Sequence, residues 1–332
     1  MLQNEQIESI ERSLFPLNQT ERAGLFSTYV IIGSKVSFTT FEREKIQKSF
    51  SQFFYLEAEK FTESEIIRCL EKLRHNHRDL TLVFNLNQPN SSILNYFSKS
   101  EYRNIKFQTY DKFVESFFSK VFLPTHDCHL EHLQNIQALT PLQYGLKRFM
   151  DYSIALILAV CSWPIFIYVA LRIKYESPGP IFFKQTRIGL GGRPFKCYKF
   201  RSMNLHGPFN LYTQKSDSRI FPFGDFMRKA RLDELPQIWN ILRGEMHLIG
   251  PRPEWNLLVE EYEQVIPHYH QRHLIRPGIS GWAQVNYRYG ECSEDARQKL
   301  MYDLYYLKYW SFSREITIFF RTIWVVLLRR GH

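Results

Sequence analysis

YSIALILAVCSWPIFIYVAL, Tyr152 to Leu171, runs for 20 residues without a charge. As a helix it would extend roughly 30 Å, enough to cross a bilayer core. Pro164 falls inside it, where a missing backbone N–H predicts a kink. Lys147 and Arg148 flank one end, Arg172 and Lys174 the other, so both ends favour the same aqueous side. The reading is a broken helix over about residues 152–174 that enters one leaflet and returns. A plain span is the alternative, since membrane helices tolerate proline.

The charge on either side is uneven. Residues 1–140 carry 16 Lys+Arg against 17 Asp+Glu, whereas residues 141–332 carry 27 against 16. The whole excess of +10 therefore belongs with the apolar segment, and its partner should be anionic: phosphate, nucleic acid or an acidic membrane surface. Residues 301–310, MYDLYYLKYW, are dense in the aromatic residues that favour the headgroup level. Residues 314–330 are mostly apolar, with Arg314 and Arg321 seven apart on one helical face and Arg329 and Arg330 at the close. That pattern suits a helix lying in a membrane plane, with a buried core helix as its rival. A nucleic-acid protein is disfavoured, because the aromatics cluster with leucines rather than along a polar basic groove.

Upstream, Tyr29–Ile32, Phe53–Leu56, Leu80–Phe84 and Ile105–Phe107 read as short strands. Helix-like stretches Phe41–Phe50, Ser64–His75 and Ser91–Phe97 separate them, which predicts a small α/β domain with Rossmann-like winding over residues 1–125. The turn Gly33-Ser34-Lys35 lacks the glycines that cradle a dinucleotide, so a regulatory or interaction role is expected. His126, Cys128, His129 and His132 match no established metal spacing and are assigned to a polar linker, residues 126–143. Five scattered cysteines without a CxxC pair fit a reducing cytosolic setting, and a polar opening with glutamates does not read as a signal peptide.

Chemistry concentrates in residues 224–237, GDFMRKARLDELPQ. Pro236 suits a first helical turn, so Asp233 and Glu234 should stand at a helix N-terminus, where the macrodipole and Arg228 and Arg231 favour charged carboxylates. An ionised carboxylate among cations is a competent nucleophile toward phosphorus, and a second beside it suits Mg²⁺. Taken alone, Asp-Glu is also a common helix start. Lys199 and Arg201 follow a hairpin expected over Ile181–Phe195; Arg252 and Arg276 sit on proline-glycine turns that suit bidentate phosphate recognition. Each of these cations could instead form a structural ion pair.

Residues 144–330 resemble the bacterial sugar transferase family, the monotopic polyprenyl-phosphate phosphoglycosyl transferases. The matching motifs, in order, are KRFMD (147–151), GPIFFKQ (179–185), YKFRSM (198–203), LDELPQ (232–237), GPRP (250–253), RPGISGWAQVN (276–286) and YDLYY (302–306). The resemblance implies a mainly α, monotopic domain over 144–332 with a re-entrant helix broken at Pro164. It implies a cytosolic-face enzyme of the bacterial inner membrane that takes a UDP-sugar and a polyprenyl phosphate. Asp233 would carry the phosphosugar covalently and UMP would leave; Glu234, with Asp233, would hold Mg²⁺, and Arg228 would contact phosphate. Trp163 stands where many members place serine before the proline, with Ser162 one residue earlier. Larger relatives carry several spanning helices before an α/β domain, and no comparable apolar run precedes Tyr152 here. A non-catalytic membrane scaffold is the alternative function, and a homodimer is permitted.

Overall fold

Val30, Ile31 and Ile32 are three consecutive β-branched residues, all fully buried. A strand covered on both faces belongs in the interior of a parallel sheet. The computed structural model describes residues 27–33, 36, 38–50, 52–76, 79–85, 91–98, 105–123, 133, 136–204, 217–287 and 293–327. The chain divides into two compact units, Met1–Phe122 and Leu123–His332. Ser34, Lys35, the His126–His132 cluster, Arg329 and Arg330 lie outside the described residues.

In the first unit β1 (Ser27–Gly33), α1 (Thr40–Ser49), β2 (Gln52–Glu57), α2 (Glu63–Asn76), β3 (Asp79–Asn85), α3 (Ser91–Phe97) and β4 (Ile105–Thr109) alternate. The pairing is parallel throughout, in the order β2-β1-β3-β4, so the α/β expectation is met. α1 starts where Thr39 and Glu42 form a reciprocal capping box. The strand period of two sends Val30, Ile32 and Leu82 into one aliphatic core with Leu70 and Phe97. Tyr29 and Phe53 point the other way into an aromatic layer with Phe50 and with Phe113 of α4 (Tyr110–Phe113).

The second unit is organised by α5 (Pro141–Glu176), 36 residues opened by a Thr140–Gln143 capping box. It begins inside the segment read as linker. Helical structure continues through Pro164, where the sequence predicts a break. The proline removes the bond that would run from residue 164 to the Val160 carbonyl, a local loss that the turns on both sides outlast. Leu156, Ile157, Val160, Trp163, Ile167 and Leu171 are exposed, and this is a helix long and apolar enough to cross a membrane.

Both ends of α5 are held by the same unit. Near its start, fully buried Lys147 pairs with Glu315 at 2.6 Å, and Trp310 Nε1 donates to that carboxylate at 2.8 Å. Asp151 accepts from Leu248 N at 3.0 Å and pairs with His247 Nδ1. Near its end, Val169 and Ile173 pack against Phe200, Phe221, Phe223 and Met227.

The remaining elements follow in chain order. β5 (Phe182–Ile188) and β6 (Pro194–Phe200) form an antiparallel hairpin, so Lys199 lies within its second strand rather than after it. Then come α6 (Pro222–Lys229), α7 (Gln237–Leu242), β7 (His247–Ile249) and α8 (Asn256–Val265). β8 (Gly278–Ser280) pairs in parallel with β7 and leads to α9 (Trp282–Asn286), α10 (Ser293–Lys308) and α11 (Phe312–Leu327).

The tyrosine-rich stretch corrects an expectation. Met301, Tyr302, Leu304, Tyr306 and Leu307 of α10 are buried, because helical spacing turns them into the core rather than toward a membrane. α11 does expose an apolar stripe: Phe312, Ile316, Phe320, Ile323 and Trp324.

Burial pushes the His247 imidazole down to about 4, against the pull of Asp151, so the folded protein holds it neutral at pH 7. Between that value and the ordinary 6.5 the unfolded chain binds the extra proton. His247 therefore contributes full stability above pH 6.5 and loses it as the pH falls through the window, by about 3 kcal/mol at most. Thermal unfolding between pH 7 and pH 4.5 should show a shallower acid slope for His247→Gln than for the natural protein. Parallel slopes would contradict this account.

Candidate active site

The turn carrying Asp233 and Glu234 is fixed from both sides. α6 lies so close to the strand end that a side chain at Gly224 would stand 2.2 Å from the Ser202 carbonyl oxygen. After α6, Arg231 adopts left-handed backbone, φ 55°, which is costly for a residue with a Cβ and marks a constrained position. A 3₁₀ turn, Leu232–Glu234, follows, and Pro236 caps α7. Three-residue periodicity eclipses Leu232 and Leu235, and both pack on the hydrophobic cluster at the end of α5. Asp233 and Glu234 are thereby left to meet the cations.

Three cations converge on Glu234. Lys199 Nζ of β6 lies 2.9 Å from Oε1, which also accepts from Arg252 Nη2. Arg231 Nη1 approaches Oε2 at 3.6 Å. Burial alone would raise this carboxyl, but Arg252, Lys199 and Arg231 outweigh it and hold the group well below the usual range. Asp233 differs: burial pushes it up, Glu234 adds to that, and Lys199, Arg228 and Arg252 only partly oppose. The expectation that the helix terminus would lower both carboxyls is thus corrected. α7 spans only six residues, and desolvation dominates at Asp233.

Positioning comes from residues that the sequence did not single out. Asn240, fully buried, accepts from Tyr198 N at 3.1 Å and donates to Lys196 O at 2.7 Å, locking α7 to β6. Arg272 pairs with Asp303 at 2.8 Å and donates to the Arg252 carbonyl at 2.9 Å, seating the Gly250–Pro253 turn. Arg187 donates to Pro253 O at 2.7 Å. With Cys197, Lys199, Gln237, Arg252 and Pro253 it lines a small cleft beside the carboxylates. Arginines bonded to carbonyls of distant segments leave no local signature, whereas Arg228 and Arg231, close to the pair in sequence, were legible as its cations.

Two predicted cations are placed elsewhere. Arg201 is buried and spends its donors on Pro180 O, Ser177 Oγ and Ser177 O, closing the end of α5. Arg276 donates to Gly244 O and Tyr144 Oη, both at 2.6 Å, near the start of α5. Lys199, Arg228 and Arg252, together with Arg231, are the cations brought to the pair. Two adjacent carboxylates offer hard oxygen donors of the kind Mg²⁺ takes alongside substrate phosphate and water. Among the described residues no group of three or more His, Cys, Asp or Glu gathers around a metal-sized site.

The second unit thus combines a long, exposed apolar helix with a carboxylate pair ringed by cations. The comparisons make this specific: the pattern of the bacterial sugar transferases matches residues 142–329, and the chain belongs to that family. It is 44% identical over 196 residues to the UDP-N-acetylgalactosamine-undecaprenyl-phosphate N-acetylgalactosaminephosphotransferase of Aeromonas hydrophila, covering 58% of this chain and 46% of that protein. It is 45% identical over 177 residues to the UDP-glucose:undecaprenyl-phosphate glucose-1-phosphate transferase of Xanthomonas campestris pv. campestris, covering 52% and 37%. A transferase of the same description from Caulobacter vibrioides is 42% identical over 181 residues, covering 53% and 68%. The match thus spans less than half the length of the first two relatives.

Asn240→Ala should orphan two backbone groups and cost roughly 2–4 kcal/mol in denaturant unfolding. Lys229→Ala, which removes an exposed pair with Asp225, should stay within about 1 kcal/mol. Equal losses would show that Asn240 does not carry the β6–α7 junction.

Proposed function

We propose that this protein transfers a sugar 1-phosphate from a UDP-sugar to undecaprenyl phosphate, the first membrane step of a polysaccharide or glycoconjugate. The observation that carries this reading is the Asp233–Glu234 pair, set among Lys199, Arg228, Arg231 and Arg252 on the unit that bears the exposed apolar helix. The names of the relatives supply the substrate classes.

Asp233, whose carboxylate has no counter-ion among the described residues as close as those on Glu234, is the nucleophile. One of its oxygens attacks the phosphorus attached to the sugar; the bond to the bridging oxygen breaks, and UMP leaves with the electron pair. The polyprenyl phosphate oxygen then attacks the same phosphorus, forms the lipid diphosphate sugar and returns the carboxylate. Glu234 stays ionised and keeps Lys199 and Arg252 aimed at the phosphate charge. Mg²⁺, held by Asp233 and Glu234, would supply further neutralisation of phosphate oxygens.

One-sided insertion of α5 in the bacterial inner membrane, with the catalytic unit on the cytosolic face, is supported by its two buried ends. A span would carry Lys147 and Ile173 to opposite sides, yet each packs into the same unit. The β2-β1-β3-β4 order of the first unit agrees with doubly wound, Rossmann-like topology, and we assign that unit a regulatory or interaction role.

Asp233→Asn should lower formation of labelled lipid product by at least roughly 10³-fold while the protein stays folded and membrane-bound. Normal turnover by that variant would overturn the assignment. Chelation with excess EDTA should abolish activity and Mg²⁺ restore it; full activity in EDTA would remove the metal from the scheme.

A further inference from the structure

We infer that Arg314 and Arg321, stacked over Trp282, form a second anion site that captures the phosphomonoester head of a membrane lipid before it reaches Asp233. This inference rests on the reaction proposed above and names where its lipid substrate first docks.

The two arginines stand two helical turns apart on one flank of α11, between its exposed apolar stripe and its buried face. Both guanidinium groups lie over one indole: Arg314 at 5.9 Å and Arg321 at 5.3 Å from the Trp282 ring centroid. Arg314 also lies 5.1 Å from the Tyr305 ring, which stacks on Trp282 at 6.2 Å with 19° between planes. Arg321 donates to Asn286 Oδ1 at 2.9 Å, and Asn286 is itself tied to Trp282 O at 2.8 Å.

These partners hold two like charges together without neutralising them. Among the described residues no carboxylate lies within ion-pair distance of either arginine. Adjacent Glu315 is committed to Lys147 and Trp310. Nη1 of Arg314 is buried and has no hydrogen-bond partner. A buried cationic donor without an acceptor is costly, and an anion accepting from Arg314 Nη1, with Arg321 on the same indole to share its charge, would remove that cost.

The charge selects among lipids. A phosphomonoester carries about −1.5 to −2 at pH 7, matching two arginines, whereas a phospholipid diester carries only one charge. The site also borders the apolar stripe of α11, where Trp324 is 65% exposed, so a lipid tail can stay in an apolar medium. It is linked to the reaction centre by short backbone. Gly281 packs so tightly on Gly250 that an added Cβ would stand 2.3 Å from its carbonyl oxygen. From there Arg252 is two residues along the chain, which keeps Trp282 and Arg252 within about 15 Å of each other between α-carbons. The position suits a docking site, not the point of chemistry.

The test uses the full chain in neutral detergent micelles. R314Q/R321Q should raise the KM for polyprenyl phosphate roughly 10-fold or more, while R314K/R321K, which keeps the charge but loses the planar fork, recovers only part of it. Exchange of labelled UMP into UDP-sugar without acceptor, which reports the donor half-reaction and the fold, should persist in both variants. Dodecyl phosphate should inhibit the natural protein and lose potency against R314Q/R321Q. An unchanged acceptor KM would overturn the inference, and so would a parallel loss of UMP exchange, which would make the arginines structural. Weaker partition onto phosphatidylglycerol vesicles with acceptor KM intact would also overturn it, assigning the pair to bulk phospholipid. Absence of UMP exchange in the natural protein would instead defeat the covalent mechanism and leave acceptor capture standing on its KM.

Discussion

Glu234 keeps its negative charge in a buried setting because Lys199, Arg231 and Arg252 reach it from three separate stretches of chain. Losing any of them would leave the carboxylate facing a desolvation cost that a partner no longer offsets. The ion cluster therefore ties the second strand of the hairpin, the strained turn after α6 and the Gly250–Pro253 turn to one point. Asn240 and Arg272 brace that point from behind, one through β6 and one through the Arg252 backbone. Asp233, the residue before Glu234, is pushed up by burial and less fully compensated, so the two neighbouring acids sit in contrasting environments.

A second constraint acts on α5. Its middle exposes leucine, isoleucine and tryptophan side chains, while its ends are fastened by opposite kinds of chemistry. The start is held by buried polar pairs, Lys147 with Glu315 and Asp151 with His247; the end is held by aromatic packing around Phe200 and Phe223. The packed end is also where Leu232 and Leu235 anchor the catalytic turn, so the apolar helix and the carboxylate pair share one hydrophobic cluster. The placement of the apolar helix and that of the carboxylate pair are set by the same contacts.

Much of this architecture is legible in the sequence. Short β-rich runs such as Leu80–Phe84, alternating with helix-like stretches, announced a parallel sheet, and the charge-free run from Tyr152 announced the exposed helix, because both signals are local. The adjacency of Asp233 and Glu234 was local too, and so was Arg231. What the sequence hid were contacts made across the fold. Arg201 and Arg276 share the residue type and turn context of Arg252, yet they bind carbonyls at the two ends of α5. Aromatic density at 301–310 suggested a membrane belt, but helical phase turned Tyr302 and Tyr306 into the core. Pro164 has a strong local preference for breaking a helix, and the 36-residue helix runs through it.

The central claim is that one side chain, Asp233, carries the sugar phosphate between donor and lipid. Peptide-resolved mass spectrometry of the protein quenched after incubation with UDP-sugar, in the absence of polyprenyl phosphate, tests it most directly. The account predicts a mass increase of one hexose phosphate or N-acetylhexosamine phosphate confined to the peptide containing Asp233 and lost on adding acceptor. A modification mapping to another residue, or an unmodified protein under conditions that support full turnover, would contradict it.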